Sequence, residues 1–263
     1  MRDPLLPLLP GPQDADRPWL ICYGIDERVE LTGHVLSMWL AKIAGFVTSE
    51  SVPGDGVHVA LPPHWRSVAW ACGTWLAGRS VLLGSNEEIR TAGLIPELSV
   101  AFTPESLYDE AEAQALVPPA SLALRWPDEL PALVLDGAAD LMHYPDRFTP
   151  VSTAADSVCL TDLTSEAAAP AAPGAPGGTA PSDGRLTVLT RAQLAARVEA
   201  ADAPTGSGRH SASRAVLVRS PDTAQMLQEV LVAWRTGRTA VVLTPEAGDD
   251  VAAAAIRQEG ITA

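Results

Sequence analysis

Leu36, Trp39, Leu40, Ile43, Phe46 and Val47 recur at the three-and-four spacing that lays one apolar stripe along a helix, and Thr32 is placed to cap its start. Ahead of it, residues 19–24 and 28–31 are two short apolar runs around Ile25, Asp26 and Glu27, the spacing of a small hairpin. After it, turn chemistry at 52–56 leads into a β-branched run at 57–61, which Pro62 and Pro63 end. The pattern then predicts a helix at 64–77, strands at 79–83 and 98–102, an acidic surface helix at 104–115, and strand-like runs at 122–124 and 133–135. Further on it predicts strands at 157–161, 186–189, 215–218 and 239–243, and helices at 191–200 (capped by Thr190), 222–235 and 246–258. Leu227, Val230, Leu231 and Trp234 form the apolar stripe of the penultimate helix.

One junction occurs twice. Trp75, Gly78 and Arg79 lead into Val81, Leu82 and Leu83, and Trp234, Gly237 and Arg238 lead into Val241, Val242 and Leu243. Each reads as a helix that ends on a left-handed glycine and feeds a buried strand. Strands and helices alternate without hairpin spacing between the central runs. The expected fold is therefore α/β: layered, mostly parallel sheets with helices on both faces, in two related subdomains. These are expected at residues 1–150 and 151–263. Residues 166–184, nearly all Ala, Pro and Gly, cannot nucleate a core and are expected to form a disordered loop inside the second subdomain.

Composition narrows the function classes. The 263 residues carry 32 Asp and Glu against 18 Lys and Arg, a formal charge of −14, and Lys42 is the single lysine. The arginines are scattered, so no basic patch exists to bind phosphates, and nucleic acid is excluded as a partner. Cys22, Cys72 and Cys159 are odd in number and set in apolar runs, as expected of buried thiols in a reducing compartment. No Cys or His pair has metal-site spacing, and no apolar run is long enough to span a bilayer. The start of the chain, broken by prolines, does not read as a signal peptide, and a cytoplasmic, acidic protein is expected.

The first hundred residues resemble the amino-terminal region of the adenylate-forming enzymes, the AMP-binding acyl-CoA synthetase and ligase superfamily. The resemblance is carried by residues 28–32 ahead of the first helix, by 52–62 (Val52, Pro53, Gly54, Asp55, Gly56 and the strand after them), and by 67–81 ending at Gly78 and Arg79. Residues 188–198 and 231–243 are similar to later scaffold segments of the same superfamily. The chain is also similar to a short actinobacterial family of this type. These are scaffold motifs, and the superfamily's chemistry lies elsewhere. The resemblance implies a Ser/Thr/Gly-rich loop after the strand at 157–161 that embraces ATP phosphates and ends in Pro-Lys-Gly. Aligned there, Thr161, Thr164, Ser165, Gly177, Gly178 and Thr179 occupy degenerate phosphate-loop positions, Glu166 stands where glycine is wanted, and Asp183 falls near the lysine. Backbone amides and a cation are what a phosphate needs, and an anion repels it. The superfamily's His-containing stretch of the acyl pocket would fall near Arg219 and Asp222, without a His. The sequence reaches Ala263 before the magnesium motif and the carboxy-terminal domain with its catalytic lysine, and Lys42 cannot replace that lysine by position.

Other residues have bland readings beside sharp ones. His64 opens a helix after a strand end, either as a pocket base or as a partly exposed residue at a helix start. Thr161, Thr164 and Ser165 suit half an anion site or an ordinary strand exit. The Gly-Ser turn with Arg209 and His210 lacks the flanking strand and helix of a phosphate loop, and Ser207 has no acid partner for hydrolase chemistry. Trp65, Trp70 and Trp75 step by about 140° and read as separate packing anchors. Exposure of Trp19 or Trp126 would point to a purely structural subunit. Glu87 with Glu88, and Asp249 with Asp250, read as solvated faces.

The expected function is thus an AMP-binding-ligase-like N-terminal region, catalytically degenerate, acting as a binding or partner-interaction module: a pseudoenzyme with no catalytic residues, no metal and no bound ATP or AMP. A protein partner or a small acyl or nucleotide ligand is expected, with neither nucleic acid nor membrane. The alternative is a reduced adenylate-forming or nucleotide-binding protein completed by a partner chain.

Overall fold

The structure, a computed structural model, describes residues 3–11, 13–14, 17–164, 186–202 and 213–261. The Ala/Pro tract expected at 166–184 and the Gly-Ser turn with Arg209 and His210 lie outside the described residues.

A hairpin opens the fold, β1 (Pro18–Tyr23) pairing antiparallel with β2 (Arg28–Thr32), and α1 (Gly33–Glu50) follows at once. Thr32 caps α1 by accepting from the Val35 amide. Next come β3 (Val57–Ala60), α2 (Trp65–Leu76), β4 (Val81–Leu83), α3 (Asn86–Ala92), β5 (Leu98–Ala101), β6 (Gln114–Leu116) and β7 (Leu135–Asp136). The remaining elements are β8 (Val158–Asp162), β9 (Thr187–Thr190), α4 (Arg191–Asp202), β10 (Ala215–Val218), α5 (Thr223–Arg235), β11 (Thr239–Leu243) and α6 (Asp249–Gln258).

Among the described residues the strands form two sheets, one in the order β7-β6-β5-β3-β4-β8-β9 and one in the order β10-β11-β1-β2. Each sheet is parallel except for one antiparallel pair, β8 with β9 and β1 with β2. The mixed, mostly parallel α/β class is therefore that expected. Each sheet draws strands from both sides of residue 150: β8 and β9 extend the larger sheet, and β1 and β2 complete the smaller one. A single apolar cluster runs from Leu20 and Val29 through Phe46, Trp70 and Trp75 to Leu227 and Trp234, so the two sheets share one core. Helices α1 and α2 pack so closely that a Cβ on Gly73 would sit 2.5 Å from the Ile43 Cγ2, and only glycine fits between them.

The two junctions are near-copies. Gly78 and Gly237 have φ of +76° and +71°. The Arg79 and Arg238 amides reach back five residues, to Thr74 at 3.0 Å and Ala233 at 2.8 Å, closing the helix ends. Each tryptophan donates its indole N–H at 2.8 Å to a neighbouring strand carbonyl, Trp75 to Cys159 and Trp234 to Trp19. Trp65, Trp70 and Trp75 are all buried, as packing anchors should be, and Trp19 is buried against Trp234.

Three sequence expectations fail. The acidic helix at 104–115 is a short 3-10 turn at Pro104–Ser106, then a loop carrying Asp109, Glu110 and Glu112, then β6. Parallel pairing of β6 with β5 buries Ala115 and Leu116, and that tertiary gain overrides local helix propensity. Residues 122–124 form no strand, and Leu122 and Leu124 are exposed. Of 133–135, only Leu135 enters β7, while Leu133 is exposed with φ +67°. Conversely, α3 was not expected. Its signal was the capping box of Ser85 with Glu88 and the left-handed Gly93 at its end.

No helix among the described residues is long and apolar enough to cross a membrane.

Candidate functional site

Parallel strands direct their carboxyl ends toward one edge of each sheet, where ligands of α/β proteins gather. Here the exits of β3 and β4, together with Thr164 just beyond β8, face the exits of β10 and β11 and the start of α5. The smaller of two cavities, about 300 Å3, opens between them, and the larger, about 650 Å3, is lined beside it by β8, β9, α4 and α5, with Thr164, Asp222 and Ala224 common to both. The larger cavity has an apolar back wall of Trp75, Leu160, Leu189, Leu194 and Leu227. Its polar front includes Asp162, Asp222 and Glu229, with Arg197 the one cation among the described lining residues.

Leu160, Asp162 and Thr164 alternate onto the cavity side of β8 and its exit, so Thr161 faces away, set between Leu82 of β4 and Val188 of β9. Of the expected phosphate-loop residues the structure brings Thr164 to the crevice and leaves Thr161 off it. Ser165, Gly177, Gly178 and Thr179 lie outside the described residues. The Thr164 donors are already engaged, because its amide donates to the Asp162 Oδ1 at 3.0 Å and its hydroxyl to the same oxygen at 2.6 Å. Asp162 is only 6% exposed, so this turn presents an acceptor toward the cavity and withdraws two donors from it.

Asp222 caps α5, accepting from the Gln225 amide at 2.7 Å. Two turns on, Glu229 is held by Ser220 Oγ at 2.7 Å and Gln225 Nε2 at 2.8 Å. A helix start ordinarily attracts anions through its unpaired amides. At this one the capping carboxylate occupies that place. Asp162 and Glu229 carry no motif in the sequence, whereas Asp222 has a legible signal, an Asp before a helical stripe.

His64 also departs from expectation. It caps α2, as its position predicted, but it is 3% exposed rather than partly exposed. Burial, and secondly the Arg66 guanidinium, push its imidazole down to about 4 against a partial opposing pull from Glu27. It lies outside the crevice, beyond Pro62 and Pro63. Among the described residues no group of three His, Cys, Asp or Glu could hold a metal ion.

No family model matches the chain. A "TIGR03089 family protein" of Mycobacterium tuberculosis is 27% identical over 129 residues, 47% of this chain and 51% of that one. An acyl-CoA synthetase of Brucella canis superposes over 100% of this chain and 46% of its own, with a TM-score of 0.75 at 16% identity. The acetoacetyl-CoA synthetase of Streptomyces lividans covers 93% of this chain and 38% of its own, with a TM-score of 0.67 at 16% identity. The fold is thus that of the amino-terminal region of acyl-CoA synthetases, and the chain spans about half or less of the length of these relatives.

Proposed function

We propose that this chain is a binding or partner-interaction module on an adenylate-forming scaffold, with no adenylation chemistry of its own. One observation carries the reading: Asp162 takes both donors of Thr164 at the place where the scaffold's relatives are expected to cradle phosphate. Asp222 and Glu229 line the same cavity against Arg197, the one cation among its described lining residues. Adenylyl transfer needs positioned donors and cations around the phosphates, and a crevice bearing three carboxylates opposes their charge. Its apolar back wall suits a small acyl ligand or an apolar segment of a protein partner instead. A cytoplasmic setting belongs with this reading, supported by three unpaired, buried thiols.

Pyrophosphate release from ATP, measured across a panel of carboxylic acids, tests the reading. No release above background is expected. Release that Thr164→Ala abolishes would overturn it. A thermal-shift comparison of acyl-CoA, free CoA and AMP then sorts the ligand class: stabilisation by acyl-CoA alone fits the apolar wall, and stabilisation by AMP contradicts the reading.

A further inference from the structure

On the far side of Pro62, Pro63 and Pro245 from the crevice lies a separate cavity of about 400 Å3, walled by the exits of β1, β3, β5 and β11 and by Pro119. Its base is His64. The Arg66 amide donates to the His64 Nδ1 at 3.2 Å, which leaves the ring proton on Nε2, and Nε2 donates to Ser121 Oγ at 3.2 Å. Ser121 passes the polarity on: its hydroxyl donates to Glu27 Oε1 at 2.6 Å and its amide to Glu27 Oε2 at 3.2 Å. Both carboxylate oxygens are thereby fixed in place, and each keeps acceptor capacity.

Glu27 Oε1 also lies 3.7 Å from the His64 Nε2. Asp26 and Glu246 add two more carboxylates, and no described lining residue is Lys or Arg. The nearby Arg66 guanidinium, off the lining, donates from Nη2 to the Ala120, Ser121 and Ala123 carbonyls at 3.3, 3.2 and 2.7 Å, lies 4.6 Å from the Trp65 ring centre and offsets part of the Glu27 charge. His64 is neutral at neutral pH and contributes no charge. Apart from Thr244 the rest of the wall is apolar. Phe102 is held edge-to-face by His64 at 5.2 Å between ring centres, beside the prolines and Ile25.

A partly open, largely apolar wall carrying three carboxylates, with no Lys or Arg among its described residues, suits a ligand with an apolar stem and a positive head. We propose that this cavity binds a small organic cation, its ammonium or guanidinium group bridging Glu27 and Glu246 and its alkyl stem lying against Phe102 and the prolines. The site is separate from the crevice and stands whether or not the crevice binds nucleotide.

Isothermal titration of the purified chain with n-butylguanidinium and n-hexylammonium, with hexanoate as the anionic control, tests it. Saturable one-site binding of the cations and none of hexanoate are expected. Glu246→Gln, which leaves the Ser121 bonds intact, and Glu27→Gln should each weaken the cations about tenfold, the loss of one charged hydrogen bond. Glu87→Gln, an exposed carboxylate on α3, removes the same charge away from the cavity and should change nothing. Absent saturable binding, equal binding of hexanoate, an unchanged affinity in Glu246→Gln, or equal weakening by Glu87→Gln would each overturn the proposal.

Discussion

The unit β3–α2–β4 and the unit β10–α5–β11 are built alike and end differently. Both close on a left-handed glycine, both anchor a tryptophan indole on a strand carbonyl, and both begin their helix at a strand exit. The helix caps differ: His64, buried and neutral, in one, and Asp222, negative at the crevice, in the other. The surroundings differ too. The first junction is braced by a buried ion pair, Arg191 Nη1 to Asp3 at 2.6 Å with Arg191 Nη2 donating to the Trp75 carbonyl at 3.0 Å, both side chains at most 1% exposed. At the second, an exposed bond runs from Arg17 to the Gly237 carbonyl instead. A repeated scaffold therefore fixes shape, while the residues at its mouth and back set charge and strength.

The largest effect should come from unbalancing the brace. Arg191→Ala leaves Asp3 charged in the core, and urea unfolding should show a loss of about 3–5 kcal/mol. A loss below about 1 kcal/mol would mean that the two junctions are supported alike.

The cap difference predicts a difference in pH response. The His64 imidazole has a folded value of about 4 against an ordinary 6.5. Between those values the unfolded chain binds more protons, so stability is full above about pH 6.5 and falls as pH drops toward 4, by on the order of 3 kcal/mol. Burial lowers the His58 imidazole and acts in the same direction. Burial raises the Glu97 carboxyl, which acts in the opposite one. His64→Asn keeps a capping oxygen and removes the titration, so its stability difference between pH 7 and pH 5 should shrink. An unchanged difference would assign the response to other groups.

The two glycines sharpen the comparison further. A Cβ on Gly78 would meet Val151 Cγ1 at 2.8 Å, whereas one on Gly237 would find only an Arg17 nitrogen at 3.9 Å. Gly78→Ala should cost about 2–3 kcal/mol and Gly237→Ala about 1 kcal/mol, measured by the same unfolding curves. Equal costs would show that backbone strain, common to both, sets the cost and that packing does not. The smallest effect is expected for Arg17→Ala, less than about 1 kcal/mol, because its bond is exposed.

Local signals were read well where they coincide with packing. The stripe from Leu36 to Val47, the Thr32 cap and both Trp–Gly–Arg junctions were legible because a helical period and a left-handed glycine are properties of neighbouring residues. The hidden parts are long-range. Nothing near Gln114 announces that β6 will pair with β5, or that β1 will lie beside β11 rather than within the larger sheet. At the site, Thr164 was legible as a hydroxyl after a strand. Its engagement by Asp162 was not, since whether a donor is free depends on how the turn closes. The Glu27–Ser121–His64 chain joins residues 94 and 57 positions apart, beyond any motif.

The central claim is that carboxylates hold the ground a phosphate would need in the crevice. Thermal melting of the purified chain against increasing magnesium-ATP, up to millimolar concentration, tests it most directly. A flat melting temperature is predicted for the natural sequence. A saturable rise that Thr164→Ala removes would contradict the claim, because a nucleotide would then be seated on the very donors assigned to Asp162.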